Sequence, residues 1–119
     1  MKIIAKILIM LVALEHIYFL YLEMFLWAKP YARKIFAMSK EDAEATATLA
    51  KNQGLYNGFL ATGLIYSILA TDSNVAYTMK IFFLVCVIIA GIYGGITVKP
   101  RLTVVQTIPA AIALIFVFL

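Results

Sequence analysis

Charge, cysteine and histidine are all scarce in this chain of 119 residues. Only 13% of the residues are charged, six of them acidic, and the chain has one cysteine and one histidine. So little charge excludes an ordinary soluble domain, because such domains carry about 25% charged residues. A single cysteine, Cys86, excludes an internal disulfide and a cysteine-based metal cluster. The single histidine and two glutamates of the first apolar segment could bind one metal, but adjacent positions on one helix chelate poorly. We therefore predict no metal site and leave the cofactor unassigned.

Apolar residues are abundant instead and make up 65% of the chain. Soluble domains contain about 45–50% apolar residues, so the excess is expected to face lipid. One helical crossing of a bilayer takes about 20 residues, which limits the chain to four or five crossings. The net charge of +4 comes from basic residues near the ends of apolar segments, a pattern typical of membrane orientation. We expect a lipid bilayer as partner and no nucleic acid.

Four apolar segments of about spanning length occupy residues 3–27, 55–71, 75–96 and 102–119. They are predicted to be helices, because lipid offers no hydrogen-bond partner to an open strand edge. The connections between the last three are short, so these spans are expected to be antiparallel neighbours. The predicted fold is an all-α transmembrane four-helix bundle in up-down-up-down order, formed by residues 1–119 as one integral membrane domain.

The connection between the first two spans is long enough to hold structure of its own. Pro30 begins a stretch that mixes cations with aromatic and aliphatic residues, which is typical of a short amphipathic helix on a membrane surface. The run Ser39-Lys-Glu-Asp42 then fits the capping pattern at the start of a helix. That helix is predicted to run from Lys40 into the second span.

The distribution of lysine and arginine predicts the orientation, because cytoplasmic connections carry an excess of both. The first and third connections hold Lys29, Arg33, Lys34, Lys40, Lys51, Lys99 and Arg101, whereas the other side holds Lys2, Lys6 and Lys80. We predict a multi-pass protein of the bacterial inner membrane with both termini outside and with the first and third connections in the cytoplasm.

The first span contains three polar residues that are costly in a bilayer, Glu15, His16 and Glu23. Their presence favours a retained span over a cleaved signal peptide. Glu15 and His16 lie near the middle of the span and are candidate catalytic residues, because a histidine beside a carboxylate can transfer protons. The alternative is that both residues pair with neighbouring helices and only fix the packing.

Further polar residues and glycines lie near the predicted cytoplasmic side. Pro109 in the fourth span removes a backbone donor and is expected to leave a carbonyl free beside Gln106. If the spans alternate, the polar residues near this side share a similar depth and outline a cavity. The predicted ligand-binding residues are Glu15, His16, Glu23, Gln53, Asn57, Tyr93 and Gln106. Two glycine pairs with the spacing of helix-packing motifs are Gly54 with Gly58 and Gly91 with Gly95.

Three runs of the sequence resemble a family of small bacterial membrane proteins. They are Leu14-Glu-His16, Asn52-Gln-Gly-Leu-Tyr-Asn57, and the ending from Tyr93-Gly-Gly-Ile-Thr-Val-Lys-Pro100 to Gln106-x-x-Pro-Ala110. The resemblance covers nearly the whole chain and implies an uncharacterised domain about as long as this chain, with four predicted spans and no assigned activity.

The predicted topology is also similar to that of the membrane-associated eicosanoid and glutathione metabolism superfamily. Members of that superfamily have four helices, a long cytoplasmic first connection, and an Arg and Asn followed by a Glu that contact glutathione. Here Lys51 and Asn52 are followed by Asn57, and no Glu occupies that part of the span. The resemblance therefore implies a similar fold and not glutathione binding.

Three hypotheses of function follow from the sequence. The first is a protein that binds or carries an amphiphile such as a lipid, quinone or isoprenoid, with its head group in the polar cavity. The second is a membrane enzyme in which Glu15 and His16 transfer protons on a lipid-soluble substrate. The third is a structural or proton-conducting oligomer. A homo-oligomer packed through the glycine pairs is compatible with all three.

Overall fold

Five helices account for most of residues 2–119, the part of the chain that the computed structural model describes. They are α1 (Lys2–Phe25), α2 (Pro30–Phe36), α3 (Lys40–Leu69), α4 (Ser73–Thr97) and α5 (Pro100–Phe118). The prediction of an all-α protein is confirmed. Residue 1, which the predicted domain includes, lies outside the described residues.

The helix ends follow from local side-chain chemistry. The hydroxyl of Ser39 accepts a hydrogen bond from the amide of Asp42 at 3.1 Å, and α3 begins at Lys40 as predicted. Asp72 does the same for α4, because its carboxylate accepts from the amides of Asn74 and Val75. These bonds satisfy amides that have no partner within their own helix.

The short helix predicted from Pro30 is also present. α2 begins with this proline, where the missing N–H costs nothing because the first turn leaves its amides unbonded. It ends at Ala37, whose φ of 52° is left-handed and stops the helix. The amide of Met38 then bonds the carbonyl of Arg33 at 2.9 Å.

Among the residues described, three helices are long and apolar enough to cross a membrane, namely α1, α4 and α5. They correspond to three of the four predicted spans, although α1 ends two residues before residue 27 and α5 one residue before residue 119. The span predicted over residues 55–71 lies mostly in α3, which is not one of the three. Asn52, Gln53 and Asn57 lower the mean hydropathy of the apolar half of α3. The fourth crossing and the up-down-up-down order stay predictions, as does the single domain.

The chain divides into two compact units. The first, called the Lys80 unit, comprises Met1–Leu14 and Leu60–Leu119. The second, called the Glu23 unit, comprises Glu15–Phe59. α1 and α3 each contribute residues to both units.

The Lys80 unit has an apolar core with small residues at its centre. In α5 the buried residues are Ala110 and Ala113, whereas Ile108, Ile112 and Ile115 are exposed. Small residues inside and large aliphatic residues outside are typical of helices that pack in lipid. The buried core residues are Ile9, Val12, Ala13, Ala61, Leu64, Leu84, Val87, Ala110 and Ala113.

α5 contains one irregular turn. Residues Thr103–Thr107 form a π-helical turn just before Pro109. Because proline has no amide to bond four residues back, the helix must interrupt its regular pattern nearby, and π-helical turns are a usual form of such interruptions. Gln106 lies in this turn and is half-buried.

The π-helical turn packs on the glycine pair of α4. The hydroxyl of Thr103 donates to the carbonyl of Gly91 at 2.9 Å, and that of Thr107 donates to the carbonyl of Ile88 at 3.1 Å. A Cβ on Gly91 would meet Thr107, and one on Gly95 would meet Thr103. The two helices approach this closely only because these positions carry no side chain.

Candidate functional site

The centre of the Glu23 unit is a polar bond between α1 and α3. The side-chain amide of Asn57 donates a hydrogen bond to the Oε1 atom of Glu23. Asn57 is buried, with only 4% of its surface exposed, and Glu23 is half-buried. An unpaired amide at this depth would cost about 1–3 kcal/mol, so the pairing favours a fixed contact between the two helices.

Glycines bring the backbones together beside this bond. A Cβ on Gly54 would lie 2.6 Å from Cγ of Met24 and 3.2 Å from the carbonyl oxygen of Leu20. A Cβ on Gly58 would lie 2.7 Å from Cδ1 of Leu20. The bond between Glu23 and Asn57 therefore forms where α1 and α3 are unusually close.

A groove of about 270 Å³ lies next to this contact, and Glu23 lines it. Its other lining residues include Trp27, whose ring gives it an apolar wall, and two cations, Lys29 and Lys51. The groove therefore offers one carboxylate, two ammonium groups and an aromatic surface within a small volume. Such a mixture suits a polar head group attached to an apolar body, because each part finds a matching surface.

Trp27 is held in this groove by two contacts. Its indole N–H donates to the hydroxyl of Thr46 at 3.0 Å, and its ring lies 4.9 Å from that of Phe36 between centroids. The hydroxyl of Thr46 in turn donates to the carbonyl of Asp42 at 2.7 Å. These contacts connect α2 and the first turns of α3 to the end of α1 and fix the aromatic wall.

The candidate catalytic pair lies further along α1 in the same unit. His16 is buried, with 1% of its surface exposed, and its ring packs edge-on against Phe19 at 5.3 Å. Its Nδ1 atom lies 4.0 Å from Oε1 of Glu15, which is too far for a hydrogen bond. Within residues 2–119, Oε1 of Glu15 is buried and has no hydrogen-bond partner. Such an atom is a functional candidate, because it retains an unused acceptor.

The remaining predicted ligand-binding residues have mixed positions. Gln53 is exposed on α3, although it lies one turn from the buried Asn57. Tyr93 and Gln106 belong to the Lys80 unit, where Tyr93 is 68% exposed. The structure thus brings Glu23 to Asn57 and Glu15 near His16. That all seven residues line one cavity stays a prediction.

Several residues of the groove were missed in the sequence. The sequence predicts a role in membrane orientation for Lys29 and Lys51 and places Trp27 at the end of a span. A signal was present in the sequence. Trp27 and Lys29 follow Glu23 closely, and Lys51 comes shortly before Asn57. Within residues 2–119, no group of three or more His, Cys, Asp or Glu residues is arranged to hold a metal ion.

The helices, their apolar surfaces and their glycine contacts indicate a helical membrane protein. Residues 10–118 match the family described as "Protein of unknown function (DUF1304)", and the chain belongs to this family. It is similar to "Uncharacterized protein YpaA" of Lactococcus lactis subsp. lactis (strain IL1403), with 37% identity over 120 residues that cover 99% of each chain. No solved structure matches the chain. The resemblance to a family without an assigned activity is thereby confirmed.

Proposed function

We propose that this protein binds a lipid-like amphiphile in the membrane, with the head group in the groove lined by Glu23, Lys29 and Lys51. The observation that carries the proposal is the bond between Glu23 and the buried Asn57 at the edge of that groove. It holds a carboxylate in one position beside two cations and the ring of Trp27. A fixed charge pattern next to an apolar surface can select a head group and leave its chain in lipid.

The size of the groove supports a head group as the occupant rather than a whole ligand. Its volume of about 270 Å³ is below the range of roughly 300–1,000 Å³ typical of sites that enclose a small molecule. The apolar part of the amphiphile would therefore extend out of the groove, along the exposed aromatic and aliphatic surface of α1. Phe25 lines the groove and is exposed, and Tyr21 is exposed one turn earlier in α1.

Native mass spectrometry of the protein extracted from its own membrane tests the proposal. We expect a bound lipid-like mass in the wild type and reduced retention in Glu23→Gln, because the substitution removes the carboxyl group but keeps the shape. Glu44→Gln is the matched control, since Glu44 is exposed on α3 and does not line the groove. Equal retention in the two variants, or no bound amphiphile in the wild type, would overturn the proposal.

A membrane enzyme is the second candidate function, and the unpaired Oε1 atom of Glu15 near His16 favours it. In this proposal the pair transfers a proton on a lipid-soluble substrate. The test is conversion of a co-purified lipid by the wild type, measured by mass spectrometry over time. Conversion that stops in His16→Ala supports the enzyme. Conversion that continues unchanged in this variant excludes the role of the pair.

The proposed arrangement in the membrane has four crossings in up-down-up-down order, the second of them over residues 55–71. Both termini lie on the outer side of the bacterial inner membrane, and the first and third connections lie on its cytoplasmic side. The excess of Lys and Arg on those connections supports this orientation. Accessibility labelling of Ser39→Cys and Ser73→Cys, each in a Cys86→Ala background, tests it. External labelling at position 39 would reverse the orientation.

A homo-oligomer is part of the same proposal, because four short helices bury little surface alone. The mass spectrum that reports the bound amphiphile also reports the number of copies. A purely monomeric protein in native lipid would exclude the oligomer and leave the binding proposal standing.

A further inference from the structure

The Lys80 unit contains a second and larger cavity, with a volume of about 580 Å³. This volume is within the range of roughly 300–1,000 Å³ that is typical of ligand sites. The cavity lies at the start of α1, the end of α3, the start of α4 and the end of α5. Helix ends of this kind meet the head-group layer when their helices cross a bilayer. No residue predicted to bind a ligand lines this cavity.

Three cationic side chains line the cavity. Lys2, Lys6 and Lys80 all line it, and no acidic side chain from the described part of the chain does so. Asp72 is next to lining residues in the sequence, but its carboxylate caps α4 by accepting two amide hydrogen bonds. Three like charges around one volume repel each other, and an anion bound between them would relieve this repulsion.

Lys80 is the most fixed of the three cations. Lys80 is half-buried, and its ammonium group donates a hydrogen bond to the carbonyl of Ser67 at 2.7 Å. One bond uses one of its three donors and leaves two for a ligand. Lys6 is exposed on α1 and lines the same cavity as Lys80. The two residues therefore present one anchored cation and one exposed cation to the same volume.

The rest of the lining is amphipathic. Asn74 and Tyr77 contribute polar groups from the first turns of α4, and Ile68 and Phe116 contribute apolar surface. A free inorganic anion would use only the lysines and the polar groups. An anion joined to an acyl chain would use both parts of the lining, because its chain can lie against the apolar residues.

We infer that this cavity binds the phosphate head group of an anionic phospholipid, with the phosphate between Lys6 and Lys80. The inference does not rest on the Glu23 groove, which is lined by other residues and includes a carboxylate. The groove of the Glu23 unit and the cavity of the Lys80 unit therefore differ in charge selectivity. The cavity of the Lys80 unit takes an anion and has no counterpart to Glu23 among the residues described.

Lipid nanodiscs with equal amounts of phosphatidylglycerol and phosphatidylcholine test this inference. The protein is released from them in the mass spectrometer, and the retained lipids are counted. We expect wild-type protein to retain phosphatidylglycerol in preference to phosphatidylcholine. Lys6→Gln should reduce that retention by about fivefold, because one cation near an anionic lipid contributes on that scale.

Two controls separate charge at the cavity from charge in general. Lys34→Gln also removes one positive charge, from an exposed lysine of α2 that lines neither the cavity nor the groove. This variant should retain as much phosphatidylglycerol as the wild type. Lys80→Arg keeps the positive charge and a donor for the carbonyl of Ser67. This variant should also retain phosphatidylglycerol as the wild type does. Lys6 does not line the groove of the Glu23 unit, so the effect of Lys6→Gln is measured separately from that of Glu23→Gln, and this inference and the proposed function can fail independently.

Three results would overturn the inference. Lys6→Gln and Lys34→Gln losing phosphatidylglycerol to the same extent would mean that only net charge matters. Both lipids contain a phosphate, but only phosphatidylglycerol has a net negative charge. Equal retention of both by the wild type would mean that the cavity does not select an anionic phospholipid. Displacement of phosphatidylglycerol by millimolar inorganic phosphate would assign the cavity to a free anion instead of a lipid.

Discussion

Gly54 and Gly58 in α3 have the same four-residue spacing as Gly91 and Gly95 in α4, but the two pairs contact different partners. In the α3 pair, a Cβ on Gly58 would meet only the flexible end of Leu20, whereas one on Gly54 would meet Cγ of Met24 and lie 3.2 Å from the carbonyl oxygen of Leu20. The pair in α4 faces the two threonines of the π-helical turn, and a Cβ on Gly91 would also lie 3.0 Å from a backbone nitrogen.

This difference separates two ways to hold membrane helices together. In the Glu23 unit the glycines allow a close approach, and a polar side-chain bond between Glu23 and Asn57 fixes it. In the Lys80 unit the threonine hydroxyls bond directly to backbone carbonyls of α4, so no polar side chain is needed on the glycine helix. The first arrangement leaves the carboxyl group of Glu23 beside a groove. In the second, the threonine hydroxyls are used in the contact between the two helices.

The largest effect is expected from a side chain added at Gly91. Gly91→Ala should reduce the free energy of unfolding by about 3 kcal/mol, because the new methyl group meets Thr107 and its backbone. Gly58→Ala should cost less than about 1 kcal/mol, because the end of Leu20 can move aside. Unfolding in one detergent, followed by circular dichroism, measures both. Equal losses would show that the two glycine pairs do not differ.

The second effect concerns the polar bond of the Glu23 unit. Asn57→Ala should cost about 1–3 kcal/mol, because the carboxylate of Glu23 loses its donor. Asn52→Ala is the matched control, since Asn52 is exposed and bonds only within its own helix, to the carbonyl of Thr48. It should change the unfolding free energy by less than about 0.5 kcal/mol. A control loss as large as that of Asn57→Ala would contradict a fixed bond between α1 and α3.

A smaller effect is expected at the aromatic wall of the groove. Thr46→Val removes the acceptor of the Trp27 indole and should cost about 1 kcal/mol. Because Trp27 is the only tryptophan, its fluorescence reports this site directly, and the emission should move to longer wavelength as the ring loosens from Phe36. Thr48→Val, an exposed position on the same helix, should leave the emission unchanged. Identical spectra for both variants would contradict the role of Thr46.

The smallest effect is expected for a single threonine of the π-helical turn. Thr107→Val keeps the shape and removes one bond to the carbonyl of Ile88, which should cost about 0.6 kcal/mol, the average for such bonds in membranes. Thr78→Val, an exposed threonine of α4, should cost less. The same unfolding measurement applies. A loss above that of Asn57→Ala would reverse the ranking of the two kinds of contact.

Much of the helical structure could be predicted from local sequence. The start of α3 at Lys40 follows from the hydroxyl of Ser39, and the short helix follows from Pro30 at its first position. Three of the four apolar segments correspond to helices able to cross a membrane. These features depend on neighbouring residues or on composition, so one sequence contains the necessary information.

The candidate sites were predicted less completely. Glu23 and Asn57 both belong to the predicted ligand-binding set, and that role stays a prediction. The sequence did not indicate that the two side chains bond each other. The cavity around Lys2, Lys6 and Lys80 was not predicted, because each lysine alone has the ordinary role of an orientation charge. The three lysines become candidates for binding an anion only because the structure places them around one cavity.

The sequence by itself determined that this chain is helical and apolar enough for a membrane, because composition and periodicity act locally. The tertiary structure decided which residues meet. Glu23 and Asn57 are separated by 34 positions, and Gly91 and Thr103 by 12. Such pairs depend on helix rotation and on the π-helical turn before Pro109, since a shift of one residue turns a side chain by about 100° around the helix axis. That rotation determines whether a polar residue packs, binds or faces lipid.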